Sequence, residues 1–254
     1  MSTTGALSSL ISRASECGVL FDYDGTLSPI VDDPAAARPL DGVPEALAEL
    51  LAWYGVVGVL SGRPVEFLQP LLPPGVALSG LYGLEVVRNG TRTDHPYAGA
   101  WREAIDDVAR SSVSLGPPGM LVEPKGLSMT LHYRTNPELA DDVAAWAAAQ
   151  ASRSGLQVRP ARMSVELHPP IRVDKGTALS SLVDDLPVVC FVGDDRGDLP
   201  AFDALDRLAD AGRVTVRGAV ASSEAPAELV ERADLVFDGP EDVLAFLHDL
   251  RPPP

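Results

Sequence analysis

Short runs of Val, Leu and Phe recur along the chain without polar alternation: Val19-Leu20-Phe21, Val56 to Leu60, Val188 to Val192, Val214-Thr215-Val216 and Leu235-Val236-Phe237. A strand can be apolar at consecutive positions only where its sheet is covered on both faces. Between these runs, Glu45 to Trp53, Lys175 to Val183, Ala201 to Leu208 and Glu241 to Leu250 repeat apolar residues at helical spacing. Strand alternating with helix predicts a parallel, doubly wound α/β sheet.

The middle of the chain follows a different period. Leu127, Met129, Leu131 and Tyr133 alternate with Ser128, Thr130, His132 and Arg134, and Met163, Val165 and Leu167 alternate with Ser164, Glu166 and His168. Period 2 predicts a sheet with one buried face and one open face. Helical patterns precede each strand region, at Gly99 to Arg110 and at Pro137 to Arg153, the second with Asn136 as N-cap and Pro137 at the first helical position. An αββαββ module of roughly 70 residues is therefore expected inside the parallel-sheet domain, within the usual size range of a domain. The expected division is 1–96 and 171–254 for the larger domain and 97–170 for the insert.

Composition narrows the classes of function. The 36 acidic residues outnumber 20 basic ones, giving a formal charge of −16. Such a surface repels nucleic acid and anionic lipid, so neither is an expected partner. An anionic substrate would need local Lys, Arg or a metal ion. The two cysteines, Cys17 and Cys190, lie beside apolar runs without metal-ligand spacing, which fits a reduced, cytoplasmic setting. Met1 to Glu16 lacks a long apolar stretch, and no segment reaches the ~20 apolar residues of a membrane span.

Four short motifs carry candidate chemistry. Phe21-Asp22-Tyr23-Asp24-Gly25-Thr26-Leu27 follows the first predicted strand, and ligands of open α/β sheets sit beyond the carboxyl ends of strands. Asp22 and Asp24, two apart, can address one phosphoryl group, one carboxylate attacking phosphorus and the other moving protons. Thr26 offers a hydroxyl and an amide to a phosphate. Ser61-Gly62-Arg63-Pro64 follows the next strand and opens a helix, so that Ser61 and Gly62 can meet a phosphate oxygen. Lys175 opens another helix, where the dipole disfavours a cation unless an anion lies close by. Val192-Gly193-Asp194-Asp195-Arg196-Gly197-Asp198 crowds carboxylates that repel one another without a cation. Magnesium suits such a set: Asp22, a backbone carbonyl near Asp24 and Asp194 would be ligands, with Asp195 and Asp198 in support.

Taken together and in this order, the four motifs resemble the signature of the haloacid dehalogenase superfamily. Asp22 to Ile30, Ser61-Gly62-Arg63, Gly83-Leu84-Glu85, Val122 to Gly126, Leu131 to Arg134, Asp174-Lys175-Gly176 and Gly193-Asp194-Asp195 resemble the trehalose-6-phosphate phosphatase family within it. The resemblance implies a Rossmann-like core with an inserted α+β cap that closes over the sugar. It also implies magnesium, an aspartyl-phosphate intermediate on Asp22, and the last step of trehalose formation. Glu123, Lys125 and Glu166 would be sugar contacts by resemblance; His132 and Arg134 share the polar face of the insert and are candidates beside them. Two departures stand out: Gly197-Asp198-Leu199-Pro200 replaces a Thr-Asp sequence followed by further acidic residues, and Tyr82 stands where the family often has His. Alternatives left open are a phosphatase for sucrose phosphate or a mannosyl phosphate, a phosphomutase, and a non-catalytic sugar-phosphate sensor. A trehalose-phosphate synthase partner for the acidic surface is also left open.

Overall fold

The computed structural model describes residues 3–31, 33–161, 163–222 and 225–252, with side chains from residue 5 onward. The described chain divides into two compact units, 1–93 with 173–254, and 94–172.

The larger unit begins with α1 (Thr3–Ser12), β1 (Cys17–Phe21), α2 (Val43–Leu50), β2 (Val56–Leu60), the short α3 (Val65–Leu68), β3 (Ala77–Gly80), β4 (Glu85–Arg88) and β5 (Thr91–Asp94). The smaller unit holds α4 (Arg102–Leu115), β6 (Leu121–Pro124), β7 (Met129–His132), α5 (Ala140–Ser154), β8 (Gln157–Ala161) and β9 (Ser164–His168). The chain then returns to the larger unit through α6 (Lys175–Val183), β10 (Val188–Gly193), α7 (Leu199–Asp210), β11 (Val214–Val220), α8 (Ala227–Glu231), β12 (Leu235–Phe237) and α9 (Pro240–Asp249).

The large sheet runs β12-β11-β10-β1-β2-β3-β4-β5. From β12 to β3 every neighbouring pair is parallel. Successive residues of its central strands feed opposite cores, which is why those strands read as continuously apolar. Val19, Phe21, Cys190 and Val192 pack with Leu10, Leu47, Val243 and Leu247 on one face. Leu20, Val189 and Phe191 pack with Leu179, Leu182, Phe202 and Leu205 on the other. From β1 the chain proceeds outward through β2 and β3, and after the insert from β10 through β11 and β12 in the other direction. The switch point thus falls between β1 and β10, and ligands of open α/β sheets bind beyond the strands' carboxyl ends at such a point. β4 runs antiparallel to β3; neither β4 nor β5 carries an apolar run, and the sequence pattern did not signal them.

The smaller unit is a four-stranded antiparallel sheet of order β6-β7-β9-β8 with α4 and α5. Its core joins Met129, Leu131, Val165 and Leu167 to Ile105, Val108, Val143 and Ala147. Three expectations need correction here. The polar face of its central strands is not open: Thr130, Ser164, Glu166 and His168 are all buried, because period 2 reports chemical alternation and not exposure. β7 ends at His132, because the chain turns through an Asn136 N–H to Tyr133 O bond before Pro137. Arg134 therefore lies in a turn and not on the sheet. Asn136 makes no side-chain cap; its Nδ2 donates to Gly119 O at 2.9 Å, and Pro137–Leu139 form a 3-10 turn ahead of α5.

No helix among the described residues is long and apolar enough to cross a membrane. Cys17 and Cys190 are free and buried; burial pushes the Cys17 thiol up to about 12, with Arg13 opposing.

Candidate active site

Asp22 leaves β1 with its N–H bonded to Val192 O at 2.8 Å, which ties the two strands at the switch point. Asp194 follows β10 directly. Lys175 begins α6 through a capping box: Asp174 Oδ1 accepts from Thr177 N at 2.7 Å and Thr177 Oγ1 accepts from Asp174 N at 2.9 Å. That box fixes the helix start whatever the dipole prefers, and Lys175 is buried, 3% exposed. Its Nζ lies 2.6 Å from Asp22 Oδ1 and 2.6 Å from Asp198 Oδ1.

Asp198 organises the acidic loop. Its Oδ2 accepts from Asp194 N at 2.9 Å and Asp195 N at 3.0 Å, while Asp195 Oδ1 accepts from Gly197 N at 2.7 Å. The unusual Gly197 to Pro200 stretch fits this geometry. A Cβ at Gly197 would already stand 3.0 Å from Asp195 Oδ1. Pro200 occupies the first turn of α7, where no backbone donor is needed.

Asp22, Asp194 and Asp198 each present a carboxylate oxygen, all within 4.8 Å of one another. Burial raises the proton affinity of Asp22 well above the usual carboxylate range; Lys175 opposes this, and Asp194 and Asp195 add to it. Burial likewise pushes Asp194 up to about 8, with Asp198 and Asp195 contributing. Burial works against the Lys175 charge, but Asp198 and Asp22, with smaller contributions from Asp195 and Tyr82, hold it well above its ordinary value. Three buried carboxylates thus face one ammonium, an excess of two negative charges that a divalent cation would balance. Two further features fit such an ion. Asp194 Oδ1 is buried with no hydrogen-bond partner. Gly25, at φ +82, lies so close to Asp194 that a Cβ there would meet Asp194 Oδ2 at 2.1 Å. A wholly oxygen donor set matches a hard cation that keeps part of its water shell.

The remaining residues sort clearly. Thr26 is fully buried, and its Oγ1 lacks a partner. Ser61 directly follows β2, the strand beside β1, its Oγ accepting from Arg63 N at 3.0 Å. Leu81, Tyr82 and Gly83 run consecutively through the left-handed region, at φ 49, 59 and 110. Leu81 N to Arg63 O and Tyr82 N to Ser61 O, both 3.0 Å, hold that turn against the Ser61 loop. The Tyr82 ring packs so closely on Gly62 that a Cβ there would meet it at 2.7 Å. Two residues of the expected metal set have their carboxylates held by other groups. The Asp195 carboxylate caps its own turn, and the Asp24 carboxylate is gripped by Arg63, with Nε to Oδ2 and Nη2 to Oδ1 both at 2.8 Å. Arg63 escaped the sequence reading, because nothing in Ser-Gly-Arg-Pro says where the guanidinium points.

In the smaller unit, strand register puts Glu123, Thr130, Glu166 and Arg159 in one row across four strands. His132 Nε2 lies 2.8 Å and Lys125 Nζ 3.8 Å from Glu123 Oε2, and Arg159 Nη1 lies 3.8 Å from Glu166 Oε2. Glu123, Lys125 and His132 are thus brought together, with Glu166 in the same row as Glu123, while Arg134 lies in the turn after β7. Arg159 was missed, since Pro160 obscures the strand that carries it.

The sequence profile of a family described as trehalose-phosphatase matches residues 20–231, which include all of these positions. The chain belongs to the trehalose-phosphatase family. Among curated relatives, the trehalose-phosphate phosphatase of Mycobacterium ulcerans is 38% identical over 199 residues, 74% of this chain and 51% of that protein. That of Mycobacterium leprae is 35% identical over 233 residues, 85% of this chain and 53% of that one. The chain therefore spans about half the length of these family members. A solved trehalose-6-phosphate phosphatase of Aspergillus fumigatus superposes with TM-score 0.65 at 26% identity, covering 97% of this chain and 96% of that one. The C-terminal domain of the Candida albicans trehalose-6-phosphate phosphatase shares the fold, with TM-score 0.77 at 24% identity over 98% and 96% of the two chains.

Proposed function

We propose that this chain hydrolyses trehalose 6-phosphate to trehalose and phosphate, with magnesium, through a phosphorylated Asp22. One observation carries the reading: at the switch point of a chain of this family, a buried lysine and three buried carboxylates converge, with one carboxylate oxygen left unpartnered.

Magnesium, held by Asp22, Asp194 and, through its neighbours, Asp198, would supply positive charge for the phosphoryl oxygens. The chain's own residues do the rest. Asp22 attacks phosphorus in line while Lys175, fixed between Asp22 and Asp198, neutralises an equatorial oxygen. The Thr26 and Ser61 hydroxyls hold the transferring group. Asp24 hands a proton to the departing sugar oxygen, then accepts one from the water that cleaves the aspartyl phosphate. The smaller unit reads the sugar: alternating carboxylates and cations along Glu123, Thr130, Glu166 and Arg159, with Lys125 and His132 alongside, offer both acceptors and donors to hydroxyls.

A substrate panel tests the assignment. Trehalose 6-phosphate should exceed sucrose and mannosyl phosphates in kcat/KM by at least about 100-fold, the discrimination that matched polar contacts provide. Equal turnover of all three would discard the substrate and keep the reaction class.

A further inference from the structure

The bond between Arg63 and Asp24 has no place in the mechanism so far. It is nonetheless braced from several sides. Both Asp24 oxygens are held, Oδ2 by Nε and Oδ1 by Nη2, each at 2.8 Å. The third guanidinium nitrogen, Nη1, donates to Pro34 O at 2.6 Å. The guanidinium lies 4.6 Å above the Phe67 ring, and Phe67 in turn meets Tyr23 edge-on at 6.0 Å. The backbone of the loop is pinned too. Arg63 N donates to Ser61 Oγ, Leu81 N donates to Arg63 O, and Val65 N donates to the buried Glu85 Oε2 at 2.7 Å. Glu85 is itself held by Arg92 at 2.8 Å. A planar fork fixed from so many sides fixes the carboxylate it grips, in a geometry that a lysine cannot reproduce.

We propose that Arg63 is the positioning residue of the proton-transfer carboxyl. Through Nε it holds Asp24 Oδ2 throughout, while Oδ1 exchanges its bond to Nη2 for one to the leaving-group oxygen. This rests on the phosphatase reading above. In the first half-reaction the Asp22–phosphorus bond forms, the phosphorus–sugar oxygen bond breaks, and that oxygen takes its proton from Asp24 Oδ1. In the second half-reaction water gives a proton to Asp24 and attacks phosphorus, and the Asp22–phosphorus bond breaks.

Leaving groups separate this role from simple phosphate binding. A sugar oxygen needs the proton; nitrophenolate does not. The experiment compares wild type, Arg63→Ala, Arg63→Lys, Asp24→Asn and the Ala/Asn double variant. Steady turnover is measured on trehalose 6-phosphate and on glucose 6-phosphate as a second poor leaving group, and the rapid nitrophenolate burst on p-nitrophenyl phosphate. Expected is a loss of about 100-fold or more in kcat for sugar phosphates in every variant, the usual worth of a placed acid-base group. In the two Arg63 variants the burst should fall less than about fivefold, which also shows that they are folded. The double variant should be no slower than Asp24→Asn alone, as for residues acting as one unit. Added guanidinium should restore part of the Arg63→Ala loss and none of the Asp24→Asn loss. Equal losses on both leaving-group classes, or losses that multiply in the double variant, would overturn the positioning role. A wild type silent on trehalose 6-phosphate but active on glucose 6-phosphate would remove the substrate assignment and leave the Arg63 comparison standing. A wild type silent on every phosphate would remove the phosphatase reading itself.

Discussion

Asp194→Asn should abolish phosphate release and yet stabilise the metal-free fold at high pH. In the folded chain Asp194 is pushed up to about 8 from an ordinary 3.8. A carboxyl whose folded value is raised binds its proton more tightly folded than unfolded. Its contribution to stability is therefore fully present below pH 4 and is lost as pH rises from about 4 to about 8. At about 1.4 kcal/mol per pH unit, the loss would be on the order of 5 kcal/mol for an isolated group. Asp198 is raised to about 8 as well and shares the same buried charge, so Asp194 accounts for roughly half of that, on the order of 2 to 3 kcal/mol. Asparagine keeps the shape and removes the charge. In EDTA at pH 8 the variant should melt roughly 5 to 10 °C above wild type, at about 2 to 4 °C per kcal/mol for a chain of this size. At pH 5 folded Asp194 is neutral while the unfolded carboxyl is already ionised, so the gap should shrink to roughly a third, and it should nearly close only towards pH 4. Millimolar magnesium should reverse the order by stabilising wild type alone. Thermal unfolding at two pH values with EDTA and with magnesium provides the check. A variant no more stable than wild type at pH 8 in EDTA, or a gap equal at both pH values, would refute the charge-excess reasoning.

Three further outcomes are expected. Lys175→Met leaves Asp22 and Asp198 buried without their cation, and should lower stability in EDTA at pH 8 by about 3 to 5 kcal/mol by denaturant titration; a loss under about 1 kcal/mol would mean that the ammonium is not what balances them. Gly25→Ala forces a Cβ onto Asp194 at a left-handed position, and should weaken magnesium activation at least tenfold while the fold survives, read from the metal dependence of turnover and the circular dichroism spectrum. Glu166→Ala should reduce kcat/KM for trehalose 6-phosphate about 100-fold and spare p-nitrophenyl phosphate; equal loss on both would deny the smaller unit its sugar-reading role.

What the sequence made legible follows from how locally each feature is encoded. The apolar runs around Phe21, Val59 and Phe191 announce buried parallel strands on their own, because covered faces on both sides leave no polar position. The site motifs are legible for a related reason: three of the four sit in the turn just past such a run, and the fourth opens the helix that carries Lys175. β4 and β5 were illegible, since Glu85-Val86-Val87-Arg88 and Thr91-Arg92-Thr93-Asp94 are too short and polar to stand out. The sequence sets Asp24 apart for proton transfer and Asp195 for outer support, but it does not show what holds their carboxylates. Only the folded chain supplies those partners: Arg63, 39 positions away, grips the first, and the second closes its own turn on Gly197. Sheet register does the same for Arg159, which joins Glu166 only once β8 pairs with β9.

The most direct test of the central claim is phosphate release from trehalose 6-phosphate by wild type with magnesium, by wild type with EDTA, and by Asp22→Asn with magnesium. Rapid release in the first sample alone is expected, with the other two lower by at least about 1,000-fold. Undiminished release by Asp22→Asn, in a preparation shown by mass spectrometry to be free of wild type, would contradict a reaction that passes through Asp22.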